Sequence, residues 1–419
     1  MATGGIGEAK GEARRFLLLQ GPFSFFFSDL AAALRARGAE TRRAILCPGD
    51  ALFHRGPGAI RYRGAPEAWG FWLRALLAQE RITDLVMLGD GRFWHDEAAR
   101  LGRSHGLRVH VVEQGYLRPG FLTVEPDGTG GRTRFPRDWA AIDRLAEGAP
   151  PVPAPRFRTS FAAYAAMDVG FNLANLALSW TLYPHYRRHS LDHPVAEWAG
   201  WVWNKGLRRG ARRAALRAAE ARLAAAAGPL YLHPLQLDTD FQMRLHAPPG
   251  GVGGMLARVI RSFAAHAPAN AALAVKVHPL DHGWARWDRR AAALAAEAGV
   301  AERVVFLDGG DLDAMLGRAA GVVVANSTVG LSALRAGAPT LALGTAIYDL
   351  EGLTFQGELD AFWRSAAPPD PARLDLFTRA LAAAIHVLGG FDGEGARPGA
   401  AAMAEKMLAP PPWPREEEA

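Results

Sequence analysis

At 419 residues, with 49% hydrophobic and 21% charged side chains, the chain has the makeup of an ordinary globular protein and is too long for a single core, so two domains are expected. Its 48 Lys and Arg against 42 Asp and Glu leave a formal charge of +6, which suits an anionic partner: nucleotide, nucleic acid or acidic lipid surface. Cys47 is the single cysteine, which excludes an internal disulfide and a Cys-based zinc site and fits a reducing compartment.

In chain order, residues 1–10 lack the basic-then-apolar sequence of a signal peptide. Residues 16–19 read as a buried strand, 20–22 as a turn and 23–37 as a helix with an apolar face. Strands follow at 41–46, 85–88 and 109–112, with a helical pattern at 95–105 between the last two. A proline-rich hinge at 148–155 leads into a mostly helical stretch, 157–227. Within it the apolar run 167–184 is interrupted by Asp168, Asn172 and Asn175, so it does not read as a membrane-spanning helix. The strand–helix rhythm resumes with strands at 230–233, 272–277, 303–307, 321–325 and 340–343. Strands alternating with helices predict α/β architecture with parallel sheets. The expected division is a Rossmann-like domain over 14–150, a basic and aromatic helical segment over 151–227, a second Rossmann-like domain over 228–395, and a disordered tail over 396–419. Two Rossmann-like halves with sheets facing a central cleft make the GT-B arrangement of many glycosyltransferases, a pattern that also fits epimerases and some binding proteins.

The chemistry-bearing residues gather just after apolar strands, where parallel sheets place their ligands. Gln20, Gly21 and Ser24 follow the first strand; Asp90 and Arg92 follow 85–88; Glu113 and Arg118 follow 109–112. In the second half, Gln236, Asp238 and Asp240 follow 230–233, and Lys276 and His278 close the strand 272–277. Asn326, Ser327, Thr328 and Gly330 then join the strand 321–325 to a helix start. A cationic Lys and His beside a Ser/Thr-rich helix N-terminus make a phosphate pocket, which points to a nucleotide-linked donor. The same Ser and Thr also fit a plain helix N-cap. His233 precedes a proline without a neighbouring Lys and reads as structural.

These residues carry a resemblance to the capsule polysaccharide biosynthesis proteins of the KpsS type, and more distantly of the KpsC type. The matching stretches are Gln20-Gly21-Pro22 with Ser24, Phe26 and Phe27; Gly89 and Asp90 with Arg92 and His95; and Glu113 with Gly115 to Pro119. Tyr186 to His189, Pro234 to Gln236 with Asp240 and Gln242, Lys276 to Pro279, and Asn326 to Gly330 complete them. The chain departs from that pattern at Gln114, where a second acid is usual, and at Gly91, where Cys is usual. The resemblance implies a GT-B β-Kdo transferase with CMP-Kdo as donor substrate, no cofactor, and a phosphatidylglycerol-type lipid acceptor.

On that footing Lys276 and His278, with Ser327 and Thr328, hold the CMP phosphate, where negative charge builds as the leaving group departs. Retention of configuration calls for a nucleophile, and Asp240 is assigned that role, with Asp238 as its competitor on the same strand face. Glu113 is assigned as general acid/base. Asp90 and Arg92 position substrate, with Arg92 either bidentate to the Kdo carboxylate or holding its own loop. No metal is assigned, since a CMP sugar carries one phosphate. Arg187, Arg188, Lys205, Arg208, Arg209, Arg212, Arg213, Arg217 and Arg222 outnumber Asp192, Glu197 and Glu220, with Trp198, Trp201 and Trp203 among them. That stretch reads as a surface for an anionic inner membrane, in keeping with a cytoplasmic, peripheral enzyme among other capsule assembly proteins. No nucleic-acid-binding motif accompanies it, so no nucleic-acid partner is assigned.

Overall fold

The structure, a computed structural model, describes residues 13–157, 160–188, 192–238 and 250–413. Its strands are β1 (Arg15–Leu18), β2 (Glu40–Ile45), β3 (Ala59–Arg61), β4 (Asp84–Leu88), β5 (Arg108–Gln114), β6 (Phe121–Pro126), β7 (Leu230–Pro234), β8 (Ala272–Lys276), β9 (Val304–Leu307), β10 (Gly321–Val324), β11 (Thr340–Ala342) and β12 (His386–Leu388). They form a seven-stranded sheet, β12-β6-β5-β4-β1-β2-β3, and a five-stranded sheet, β11-β10-β7-β8-β9. In the first, β1 pairs in parallel with β2 and β4, β2 with β3, and β4 with β5. In the second every pair is parallel. The chain is therefore α/β with parallel sheets, as the alternation of its elements predicts. Strands β3, β6 and β12 lie outside the strand segments expected from sequence.

Register brings the functional strand ends together. Leu18 pairs with Val86, and Leu88 with Val112, so the segments after β1, β4 and β5 leave one edge side by side. Pro234 pairs with Lys276, and Lys276 with Leu307, while Leu232 pairs with Val322. The segments after β7, β8 and β10 thus share the carboxyl edge of the second sheet. Strands β7, β8 and β10 are buried along their whole length, which explains their near-continuous apolar sequence. The helix Gly251–His266 covers that sheet with Val252, Met255, Leu256, Val259, Ile260 and Phe263, a helical spacing of apolar side chains. In the first sheet the core gathers Tyr62, Trp69 and Trp94, and the Trp69 indole donates to the Trp94 carbonyl at 3.0 Å.

The chain divides into two compact units. One holds the residues up to Glu113 with Arg156–Arg187 and Val387–Pro411; the other holds Gln114–Pro155, Arg188–His386 and the residues from Pro412 onward. The expected segment 151–227 is therefore not a body of its own. Its helix Phe161–Leu182 packs on the short helix Pro48–Leu52, where Asn175 accepts the Gly49 N–H at 2.8 Å. Its later part is tied elsewhere: Lys205 and Arg212 both bind Asp308, at 3.2 and 2.6 Å.

The tail is also corrected. Residues 396–408 are not disordered but form the helix Ala396–Leu408, packed on the helix Phe26–Arg35. Ala400, Met403, Ala404 and Met407 make its buried stripe, and the run of small residues hid that stripe from a reading by hydrophobicity. Residues 414–419 lie outside the described ones.

Candidate functional site

In the second unit, the short helix Thr328–Arg335 opens directly after β10, and the Ser327 hydroxyl accepts the Val329 N–H at 3.2 Å as its N-cap. Gly330 lets the Tyr348 ring pass against this first turn, where a Cβ would collide with the phenol, and the Tyr348 hydroxyl donates to the Ser327 carbonyl. Gln236 and Asn326 exchange two hydrogen bonds across the edge: the Gln236 amide donates to Asn326 Oδ1 at 3.0 Å, and the Asn326 N–H donates to Gln236 Oε1 at 3.4 Å. This pair locks the turn after β7 to the turn after β10.

His278 lies on the adjacent turn, half-buried. Its Nδ1 accepts the Leu280 N–H at 3.1 Å, so the neutral ring carries its proton on Nε2. Burial, reinforced by Arg118, Lys205 and Lys276, pulls its pKa down to about 4. The pairing of a cationic Lys with a cationic His expected from sequence is therefore corrected: at neutral pH the imidazole is an uncharged donor. Lys276 is buried and its ammonium donates to the Gly309 carbonyl. Burial lowers its pKa, and Asp308 opposes that shift. Lys276 thus braces the loop after β9 while contributing positive charge beside His278.

β7 ends at Pro234, so Asp238 is not on that strand. Asp238 lies in the turn beyond it and accepts the Val252 N–H at the start of the helix Gly251–His266. Burial raises its pKa, with Asp281 and Asp192 adding to the rise. Asp240 and Gln242 lie outside the described residues. His233 is fully buried, donates from Nδ1 to the Val323 carbonyl at 2.7 Å and has its pKa pulled to about 4 by burial, a structural role as expected.

In the first unit the strand ends carry a linked polar cluster. The Gln20 amide donates to Asp50 at 3.1 Å and to the Tyr186 hydroxyl at 3.0 Å, and Arg92 donates to Gln20 Oε1 at 3.3 Å. Asp50 also accepts the Leu46 N–H at 3.0 Å, and burial pushes its carboxyl above the ordinary range against the pull of Arg43. Burial likewise lowers the Arg92 guanidinium, which Tyr186, Glu113 and Asp50 partly offset. Gly89, at φ 65°, lies against the Glu113 carboxylate, and a Cβ there would approach Oε1 to 2.9 Å. Asp90 is buried beside it. His95 anchors this turn: its Nδ1 donates to the Gly89 carbonyl at 2.7 Å, and its pKa falls to about 3 through burial and Arg92.

Other expected site residues make contacts within the fold. Ser24 is buried, donates to the Phe391 carbonyl and accepts the Phe26 N–H at 3.2 Å. Gly21 makes room for the Phe27 ring, which a Cβ would approach to 2.6 Å. Arg118 is exposed on the loop after β5 and donates to the Gly115 carbonyl at 3.1 Å. That loop is oriented by His386, whose Nε2 accepts the Tyr116 N–H at 2.9 Å. Sequence reasoning missed Asp50, Arg43 and His386. Asp50 offers one signal, a carboxylate two residues after Pro48 at a helix start, but nothing local ties it to Gln20.

Comparison with known proteins matches residues 83–391 to the family described as capsule polysaccharide biosynthesis protein. The capsule polysaccharide export protein KpsS of Escherichia coli is 32% identical over 85% of this chain and 91% of its own length. The capsule polysaccharide modification protein LipB of Neisseria meningitidis serogroup A is 30% identical over 85% of this chain and 87% of its own. Among solved structures, the Thermosulfurimonas dismutans KpsC β-Kdo 2,7 transferase aligns over 95% of this chain and 99% of that one, at 15% identity and a TM-score of 0.46.

Proposed function

The chain belongs to the capsule polysaccharide biosynthesis family, and from that premise we propose that it is a glycosyltransferase moving Kdo from CMP-Kdo to a (lyso)phosphatidylglycerol-type lipid, with retention, to start the β-Kdo linker of a capsular polysaccharide. The observation that carries this reading is the carboxyl edge of the second sheet. There a cationic Lys276 ends β8, a neutral His278 with its proton on Nε2 follows it, and the Ser327-capped helix start follows β10, the two strands that flank β7. Such an edge suits one phosphate monoanion better than a diphosphate with its metal.

In the proposed reaction His278 Nε2–H and the hydroxyls of Ser327 and Thr328 donate to the CMP phosphate as its bond to the anomeric carbon breaks and the electron pair leaves with CMP. Asp240 attacks that carbon to give a glycosyl-enzyme. The acceptor hydroxyl then displaces Asp240 and gives its proton to Glu113. The helix-capping role of Asp238 favours Asp240 as the nucleophile. In the first unit Arg92, held by Gln20, is the group suited to the Kdo carboxylate.

The lipid acceptor places the enzyme peripherally on the cytoplasmic face of an anionic membrane. Exposed Arg208, Arg209, Arg213 and Arg217 beside exposed Val202, Trp203 and Leu207 support that placement. Arg212 does not belong to this surface, because it is committed to Asp308.

The test is mass spectrometry of products formed by purified protein from a panel of CMP and CDP donors with a fluorescent lysophosphatidylglycerol. Turnover of CMP-Kdo supports the reading; turnover of another donor moves the assignment to that sugar or polyol. Turnover of none favours a non-catalytic scaffold in a capsule assembly complex. Asp240→Asn is expected to abolish transfer while CMP still binds, and transfer at the normal rate would remove Asp240 from the mechanism.

A further inference from the structure

The helix Phe161–Leu182 has its polarity reversed. An ordinary surface helix buries an apolar stripe and exposes polar residues. Here Asp168, Asn172, Asn175 and Ser179 recur at helical spacing on the side turned to the protein, around Phe171. Asn172 donates to Asp168, and Asn175 accepts the Gly49 N–H. Leu173, Leu176, Ala177 and Trp180 recur at the same spacing on the opposite, exposed side. Trp180 is 75% exposed and Leu173 51%. The exposed Leu52, which lies against Gly170, extends the face beyond the helix. The polar residues that argue from sequence against a spanning helix are thus the ones that attach it to the protein.

We propose that this face lies in the plane of a phospholipid bilayer, its leucines and tryptophan within the acyl boundary, and anchors the first unit to the membrane. Three observations select lipid as the occupant. By length and composition this is a helix able to cross a membrane, yet only 17% of its most apolar window is buried in the protein. Its Trp180, on the same face as Leu173 and Leu176, is an amphipathic ring suited to the boundary between headgroups and acyl chains. Its C-terminal end is cationic: exposed Arg61 and Arg63 flank the capping Tyr183, with the Arg63 guanidinium 5.6 Å from the ring, and exposed Arg187 follows. Arginines beside an apolar face match anionic headgroups. Because Asn172 and Asn175 are buried against the protein, the helix rests in one leaflet and does not cross.

The inference shares its lipid partner with the membrane placement proposed above but rests on other residues, so the two fail separately. The full-length protein is floated with vesicles of phosphatidylcholine alone and with added phosphatidylglycerol. Leu173→Gln/Leu176→Gln/Trp180→Gln should lower partition into mixed vesicles at least roughly 30-fold, with unchanged circular dichroism and melting, since no buried contact is removed. Single Leu176→Gln and Trp180→Gln variants repeat the test if the triple variant folds poorly. A fluorophore on Leu176→Cys should shift blue and be quenched by acyl-chain bromines; the native Cys47 is buried and stays unlabelled. Failure of the wild type to bind any vesicle overturns the proposal, as does undiminished binding by the triple variant. Loss of binding only in Arg208→Gln/Arg209→Gln/Arg213→Gln overturns it while leaving the basic surface in place. A vesicle-free dimer that the triple variant splits assigns the face to a second copy instead.

Discussion

The carboxyl edges of the two sheets are built by opposite means. In the first unit side chains bind side chains from distant parts of the sequence: Gln20 holds Asp50 and Tyr186, and Arg92 holds Gln20. In the second unit most functional side chains bind backbone atoms. His278 takes the Leu280 N–H, Ser327 takes the Val329 N–H, and Lys276 reaches the Gly309 carbonyl. A network of buried partners fails as a whole when one member is lost. Backbone-anchored groups are lost one at a time. The first edge should therefore couple function to stability, and the second should let the two be separated.

The sharpest test of that contrast is His278→Ala. It is expected to cut turnover at saturating donor by about two orders of magnitude, or about 2.7 kcal/mol, with little change in melting. His278→Gln, whose amide can replace Nε2–H, should lose only about tenfold. Loss of turnover and stability together in His278→Ala would place this residue in a structural network after all.

Asp50→Ala should behave in the opposite way. It leaves Gln20, the Leu46 N–H and the buried Arg43 without their shared partner. Unfolding in denaturant should show about 3 kcal/mol of lost stability, with activity falling alongside. Gln236→Ala on the second edge should cost about 1 kcal/mol. Equal losses at the two positions would erase the distinction between the edges.

Acid should weaken both units through buried histidines. His95 and His233 are fully buried, with folded pKa values of about 3 and about 4 against roughly 6.5 when unfolded. The unfolded chain therefore takes up protons first as pH falls. Stability is full above about pH 6.5 and declines until pH passes below the folded values. By pH 5 each histidine should account for about 2 kcal/mol. Unfolding measured from pH 7.5 to 5 checks this, and His95→Gln and His233→Gln should each flatten the slope. An unchanged slope in both variants would assign the acid sensitivity elsewhere.

The smallest effect concerns charge at the second edge. Because His278 Nδ1 is engaged by Leu280, the ring should donate to phosphate without becoming protonated. Calorimetry of CMP binding near pH 7, in buffers of different ionisation enthalpy, should find almost no proton uptake. Uptake of about one proton that vanishes in His278→Gln would restore the cationic histidine expected from sequence.

The buried strands, the parallel α/β class and the residues that follow each strand were legible in the sequence, because apolar runs and strand-end position are local properties. Lys276, His278, Gln236 and Asn326 could therefore be named and placed at one edge. Local sequence does not encode which groups saturate one another. Asp50 meets Gln20 only when β1 and β2 pair, and the proton on His278 is fixed by the turn that follows it. Arg212 belongs to Asp308 and not to the surface because its helix packs beside β9. The same limit governs the helix Phe161–Leu182. Its sequence shows both a polar and an apolar stripe, but only packing against the helix Pro48–Leu52 turns the polar stripe inward and leaves the leucines outside.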